Sequence, residues 1–283
     1  MSRYSNPEVP HEVNVSEKTP LRDFLRLSLG VCLVTVAVVV VVFFAARLFA
    51  PQIPFRYEAA LNDVVAQKPA SDAAPTCQSE SEAALQTLAD ELARTMELPD
   101  EMSIRVHLRA DSEPNAFASL GGNVMVNRGL LEHIQSENAL AMVLAHEIAH
   151  IKHRDPIVSI GGGVAVAVLF SALIGNSDGG ALVGWAIGLT QMSFSRKQES
   201  AADEAALAAL QKRYGYTNGA DEFFTYITQE YPEISKIPAF LSTHPTPPER
   251  VKQIQSGFAL TPPILMPLSV ELKCEFQETG SGN

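Results

Sequence analysis

Cysteine is scarce in this chain: its 283 residues hold three, Cys32, Cys77 and Cys274, and no two of them form a CxxC pair. A zinc ribbon or a thioredoxin-type redox centre has nothing to build on, so any metal must be held by His and carboxylates. Positive charge is short as well, with 21 Lys and Arg against 32 Asp and Glu and a net charge of −11. No basic block offsets the deficit, which argues against a nucleic-acid partner, because neutralising phosphates needs surplus Lys and Arg. What the chain does have is apolar residues, 46% of the total. Over this length they can bury the core of one large domain or two small ones, and wholesale disorder is excluded.

From Leu27 to Ala46 the sequence LSLGVCLVTVAVVVVVFFAA carries no charge over 20 residues. At about 1.5 Å rise per helical residue that length matches a hydrocarbon core of roughly 30 Å, so the segment reads as an uncleaved transmembrane helix in contact with membrane lipid. Arg3, Lys18, Arg22 and Arg26 precede it and Arg47 and Arg56 follow. The bias predicts a cytoplasmic N-terminus and an extracytoplasmic domain, periplasmic if the source is a Gram-negative bacterium. In such a compartment Cys77 and Cys274 could pair; two unrelated thiols are the equal alternative.

The chain divides into a cytoplasmic tail at 1–26, the span at 27–46, a linker at 47–78, a folded domain at 79–260 and a C-terminal extension at 261–283. Ser79 with Glu82 forms a capping box opening a helix through Leu85, Leu88, Leu92 and Met96. Ile104, Val106 and Leu108 alternate with polar residues as in a half-buried strand, and Val124 with Val126 marks another. A helix follows over Glu137 to Lys152, ended by Pro156, then a Gly-rich apolar insert at 157–192. That insert is either a second membrane excursion or a pair of core helices, and its short runs favour the latter. Arg196 to Lys212 and Pro247 to Ser256 read as two further helices. The expected fold class is α+β, mostly helical, with a small sheet.

The chemistry centres on HEIAH at 146–150. His146 and His150, one turn apart, share a helix face and can bind one zinc ion per chain, while Glu147 faces the water at an open position and acts as general base in peptide hydrolysis. A third ligand is needed. The position ten residues after His146, where one class of zinc peptidase places a third His, is Pro156. SRKQESAADEAAL instead offers Glu199 as ligand, with Asp203 one turn on to orient a ligand by hydrogen bond and Glu204 as the competing carboxylate. Asn115, Ala116, Phe117 and Ala118 form a candidate substrate-binding strand that could pair its backbone with an extended peptide; a core hairpin packing Phe117 and Val124 is compatible with that. His107, His133 and His153 fall outside these patterns.

Four segments together resemble the zinc metallopeptidases of family 48, whose relatives include the CAAX prenyl endopeptidases, the HtpX heat-shock proteases and the mitochondrial Oma-type proteases. They are NAFASLGGNVMVNRGLLE at 115–132, LAHEIAHIKHRDP at 144–156, FSRKQESAADEAAL at 194–207 and THPTPPERVKQI at 243–254. The resemblance implies a gluzincin-like fold, His146, His150 and Glu199 as zinc ligands, Glu147 as base and Asp203 as a ligand-orienting residue. It also implies that His244, with Arg250 nearby, sits beside the oxyanion or braces the site; read without it, a His before Pro is an ordinary loop residue. The chain lacks the several spans of the prenyl endopeptidases, and both ends of its insert must lie on one side of the bilayer, or His146 and Glu199 would be separated.

The resulting expectation is a membrane-anchored zinc metalloendopeptidase that cuts extended or misfolded protein segments, with membrane or envelope protein quality control as its role. A membrane-tethered chaperone or assembly factor on the same fold is the alternative, against which the intact Glu147 argues. A non-proteolytic zinc hydrolase is a third. Protein or peptide substrates are the expected partners, and no oligomeric state is indicated.

Overall fold

The computed structural model describes residues 20–65, 76–174, 194–231, 244, 248–259 and 263–273. Helix α1 (Pro20–Phe49) runs through a 3-10 turn at Ala50–Gln52 toward α2 (Phe55–Val65). With the turn it makes a 33-residue helical stretch whose most apolar window has a mean hydropathy of 3.0 and no buried residues, long and apolar enough to cross a membrane. Then come α3 (Thr76–Thr95), β1 (Arg105–Arg109), β2 (Ala116–Ala118), β3 (Asn123–Asn127), α4 (Arg128–His133), α5 (Glu137–Lys152) and α6 (Asp155–Ile174). The chain continues with α7 (Arg196–Tyr214), α8 (Glu222–Glu230) and α9 (Pro248–Gln255). The fold is mostly helical with one three-stranded sheet, as the sequence predicts.

Helix α5 is the axle. Ser136 caps it by accepting the Ala139 N–H, and every residue from Asn138 to Ile151 is buried. A helix buried on all faces needs neighbours on all faces. Leu85, Leu88 and Leu92 of α3, Ala202, Ala206 and Leu210 of α7, Phe223 and Phe224 of α8 and the sheet residues Val124 and Val126 share one apolar core with Leu140, Leu144 and Ile148. Each large apolar side chain so buried contributes about 1.5–3 kcal/mol. Ala141, Ala145 and Ala149, all fully buried, let the neighbouring elements come close enough for their polar side chains to reach His146 and His150.

The sheet runs β1-β3-β2, with β1 parallel to β3 and β2 antiparallel on the edge. Asn127 N–H donates to Asn115 O and Ser119 N–H to Asn123 O. By alternation the backbone polar groups of Ala116 and Ala118 face away from the sheet. The turn from β2 to β3 needs glycine: Gly122 has φ +79°, and a Cβ there would lie 1.9 Å from Ser103 O.

Three features differ from the sequence expectation, and the C-terminal extension, given only bounds there, is found packed. Helix α3 begins at Thr76, three residues before the capping box. The 47–78 linker contains α2, whose Phe55 and Glu58 are buried against the domain, because Glu58 finds an ion-pair partner there; 66–75 lie outside the described residues. Pro156 does not end α5: the helix stops at Lys152 and Arg154 turns the chain with φ +63°. Pro156 then occupies the first turn of α6, where a missing N–H costs nothing. The C-terminal extension packs on the core through Leu268 and Leu272, with Leu268 N–H donating to Gln135 O.

The first half of the insert is α6, which packs along α1: a Cβ on Gly162 would come within 2.5 Å of the Phe43 ring. Residues 175–193 lie outside the described residues, as do the Cys77 side chain and Cys274, on which the disulfide question falls.

Candidate active site

His146 and His150 project from α5, Glu199 and Asp203 from α7, and Arg250 from α9, while His244 precedes α9. Helix α7 is held in register by a reciprocal capping box between Ser195 and Gln198, which fixes its first turn and so the position of Glu199. All six side chains are buried, His150 and His244 fully.

The ring nitrogens settle what this cluster can hold. His146 Nδ1 lies 3.0 Å from Asp203 Oδ1, and His150 Nδ1 lies 2.8 Å from Asp155 Oδ2. Ionised carboxylates only accept, so each Nδ1 must donate, and each neutral ring then presents a lone pair at Nε2. The two Nε2 atoms are 3.1 Å apart. Two acceptors at that separation call for a positive charge between them. Glu199 adds its carboxylate, 3.5 Å from each Nε2, and His244 Nδ1 lies 3.0 Å from Glu199 Oε1 and 3.3 Å from His146 Nε2. One donor atom from each of His146, His150, Glu199 and His244 falls within 4.8 Å of the others. Imidazole and carboxylate donors gathered in this way fit a divalent transition metal such as zinc.

Burial opposes a charge on His146, yet its hydrogen bonds to Asp203 and Glu199 outweigh that and raise its pKa to about 9. Burial likewise resists ionisation of Glu199, but hydrogen bonds from His146, His150 and His244 hold it far below the usual carboxylate range. Burial lowers the pKa of His244, favouring its neutral ring. Arg250 Nη1 lies 2.6 Å from Glu199 Oε2, and its Nη2 donates to Asp203 Oδ1 at 2.8 Å, so one guanidinium braces both acids of α7.

Glu147, fully buried, reaches toward the sheet edge. Its Oε2 accepts the Ala118 N–H at 2.7 Å. Its Oε1 accepts no hydrogen bond among the described residues and lies 3.6 Å from His244 Nε2. A buried carboxylate oxygen without a donor is costly, and a water molecule or a substrate N–H would satisfy it. The residues singled out in the sequence thus come together: His146, Glu147, His150, Glu199, Asp203, His244 and Arg250 form one cluster, and β2 with Asn115, Ala116, Phe117 and Ala118 lies beside it. Glu204 is not among the metal-competent donors. His133 stacks on Tyr226 and His107 bonds Asn123, both away from it.

Sequence reasoning missed Asp155 and Gln198. Gln198 Nε2 donates to Asp155 Oδ1 at 2.6 Å, so Asp155 ties the end of α5 to the start of α7 while holding His150. The one available signal was an acid five residues after the second His of the motif, and only the tight turn at Arg154 brings it back onto that ring. Phe194, stacked on His150 with 4.0 Å between centroids, was missed too.

Several known proteins are similar to this chain. A putative beta-barrel assembly-enhancing protease of Vibrio cholerae is 33% identical over 172 residues, covering 54% of this chain and 34% of that protein. The mitochondrial metalloendopeptidase OMA1 of Schizosaccharomyces pombe is 31% identical over 157 residues, covering 55% and 47%. A protease HtpX homolog of Methylibium petroleiphilum is 31% identical over 210 residues, covering 59% and 71%. The chain therefore spans between a third and a half of the length of the first two relatives. The family model of Peptidase family M48 matches residues 79–257, well over half of the sequence and a span that contains the cluster. This chain belongs to peptidase family M48.

Proposed function

We propose that the protein is a membrane-anchored zinc metalloendopeptidase that hydrolyses peptide bonds in extended or misfolded protein segments. The observation that carries the proposal is the pair of facing Nε2 lone pairs on α5, with the Glu199 carboxylate beside them and the partly unsatisfied Glu147 next to them. His146, His150 and Glu199 would hold the ion. When bound, zinc would polarise the scissile carbonyl and acidify a water molecule. Glu147 Oε1 would hold the proton taken from the attacking water and release it to the departing amine, while the Ala118 N–H keeps Oε2 fixed. Asp203 and Asp155 hold the two rings by Nδ1, so that Nε2 points inward.

An extended peptide would pair with the backbone groups of Ala116 that face away from β3, displacing what now covers this buried residue, and Asn115, Phe117 and Ala118 would shape that edge. His244, between Glu199 and Glu147, would line the space beside the scissile carbonyl, and Arg250 keeps α7 in place behind it.

The apolar α1 supports an anchored enzyme. The charge bias around α1 supports an N-terminus in the cytoplasm and a catalytic domain outside it. Relatives named for beta-barrel assembly enhancement and for a mitochondrial endopeptidase support a role in membrane or envelope protein quality control.

The test compares casein cleavage and bound zinc in the wild type and Glu147→Gln. Zinc retained with turnover lost is the expected result; unchanged turnover in Glu147→Gln would remove that residue from the mechanism.

A further inference from the structure

The stretch that joins the membrane helix to the domain ends in a buried carboxylate used twice. Glu58, 1% exposed, accepts Arg154 Nε at 2.9 Å and Nη2 at 2.8 Å through Oε2. Through Oε1 it accepts the Gly121 N–H at 3.2 Å. The same guanidinium donates to Ile53 O at 2.7 Å and lies over the Phe55 ring, 5.5 Å from its centroid. Residues 53–58 therefore wrap Arg154 from three directions.

Each end of this clamp is one step from the cluster. Arg154 holds the left-handed turn after α5, and the next residue is Asp155, which bonds both His150 and Gln198. Gly121 lies three residues past Ala118, whose N–H holds Glu147. One carboxylate on α2 thus meets the end of the metal helix and the turn that follows the edge strand. A buried ion pair gives little net stability, because desolvation offsets most of the attraction, but it enforces geometry strongly: a fork matched to a carboxylate has few alternative poses.

We propose that Glu58 and Arg154 are positioning residues of the site, and that the juxtamembrane segment 53–58 is part of the catalytic scaffold rather than a passive tether. One branch, through Arg154 and Asp155, sets the pose of His150. The other, through Gly121, sets the height of the β2 edge and of the Ala118 N–H under Glu147. This inference rests on the metallopeptidase reading for its kinetic part only.

The experiment uses the full chain in lipid nanodiscs, as wild type, Glu58→Ala, Glu58→Gln, Arg154→Lys and Glu147→Gln. Melting temperature, zinc retention against a chelator, amide hydrogen exchange at 116–122, and kcat and KM on a peptide are measured for each. In Glu58→Ala, at a temperature where it is fully folded, zinc should be lost at about tenfold lower chelator, as for other residues that brace a ligand. Exchange at 118–122 should rise by a comparable factor, and kcat should fall with a higher KM. Glu58→Gln keeps an acceptor for Gly121 and loses the charge facing Arg154, so exchange should return toward wild type while zinc retention stays weak. If Glu58→Ala does not fold, Arg154→Lys, which keeps the charge and loses the fork, makes the same comparison on the zinc branch. Wild-type zinc retention, exchange and kcat/KM in the folded variants, with Glu147→Gln inactive, would overturn the clamp and leave the peptidase reading standing. Turnover persisting in Glu147→Gln would instead sink the peptidase reading, and the zinc and exchange readouts would still decide the clamp.

Discussion

Replacing Asp203 tests how much of the site's order comes from residues that never touch the metal. Its carboxylate, 5% exposed, accepts from Arg250 on both oxygens and holds His146 Nδ1 at 3.0 Å. Asp203→Ala removes one partner of a buried charge pair, a change that costs about 3–5 kcal/mol. Against a total stability of about 5–15 kcal/mol this is a large fraction. At about 2–4 °C per kcal/mol for a domain of this size, the metal-free melting temperature should drop by roughly 10 °C. Arg250 keeps Glu199 as a counter-charge, which places the expectation at the lower end of that energy range. Loss of the Nδ1 acceptor also frees the His146 ring, for which about 10–100-fold weaker zinc binding is expected. Scanning calorimetry of metal-free and zinc-loaded protein, with a chelator competition, separates the two effects. Asp203→Asn keeps an acceptor for the imidazole and should recover part of the zinc affinity while remaining destabilised. Zinc binding as tight as wild type in both variants would refute the idea that Asp203 orients His146.

Asp155→Asn should likewise weaken zinc binding by about tenfold, since the amide replaces a charged acceptor at His150 Nδ1; isothermal titration checks it. In the metal-free protein His146 is raised from its ordinary pKa of 6.5 to about 9. Its contribution to stability is therefore complete below pH 6.5 and lost as pH rises through about 9. The metal-free melting temperature should fall over that window, and His146→Gln should flatten the dependence. Gly122→Ala forces a Cβ to within 1.9 Å of Ser103 O at φ +79°; it should cost about 2 kcal/mol or more in urea unfolding.

Much of this was legible in the sequence because it is local. Helix α5 covers the Glu137–Lys152 that the Ser136 cap and the helical spacing of Leu140, Val143, Leu144 and Ile148 indicate, although Arg154 rather than Pro156 turns the chain after it. His146 and His150 share a face by helical periodicity alone, and Glu199 with Asp203 repeats the same spacing on α7. The rest depends on where the chain folds back. Asp155 becomes a partner of His150 only because Arg154 takes a left-handed backbone conformation, which an Arg rarely adopts. Glu58 looks like one more linker acid until its pairing with Arg154, 96 residues away, is seen. Ala118 enters through its backbone N–H, about which the identity of its side chain says nothing. His244 carries no local signal of its own. Its place between Glu199 and Glu147 was reachable only through the resemblance of the His-Pro segment to a known family.

Two imidazoles of α5 and the carboxylate of α7 are expected to share one zinc ion. X-ray absorption at the zinc edge on the purified full-length chain tests it most directly, alongside His146→Ala and Glu199→Ala. A shell of nitrogen and oxygen ligands at about 2.0–2.2 Å, with multiple-scattering features from at least two imidazoles, one ion per chain, and loss of the ion in His146→Ala, is the predicted result. A sulfur shell, or a zinc environment unchanged in both variants, would contradict the account.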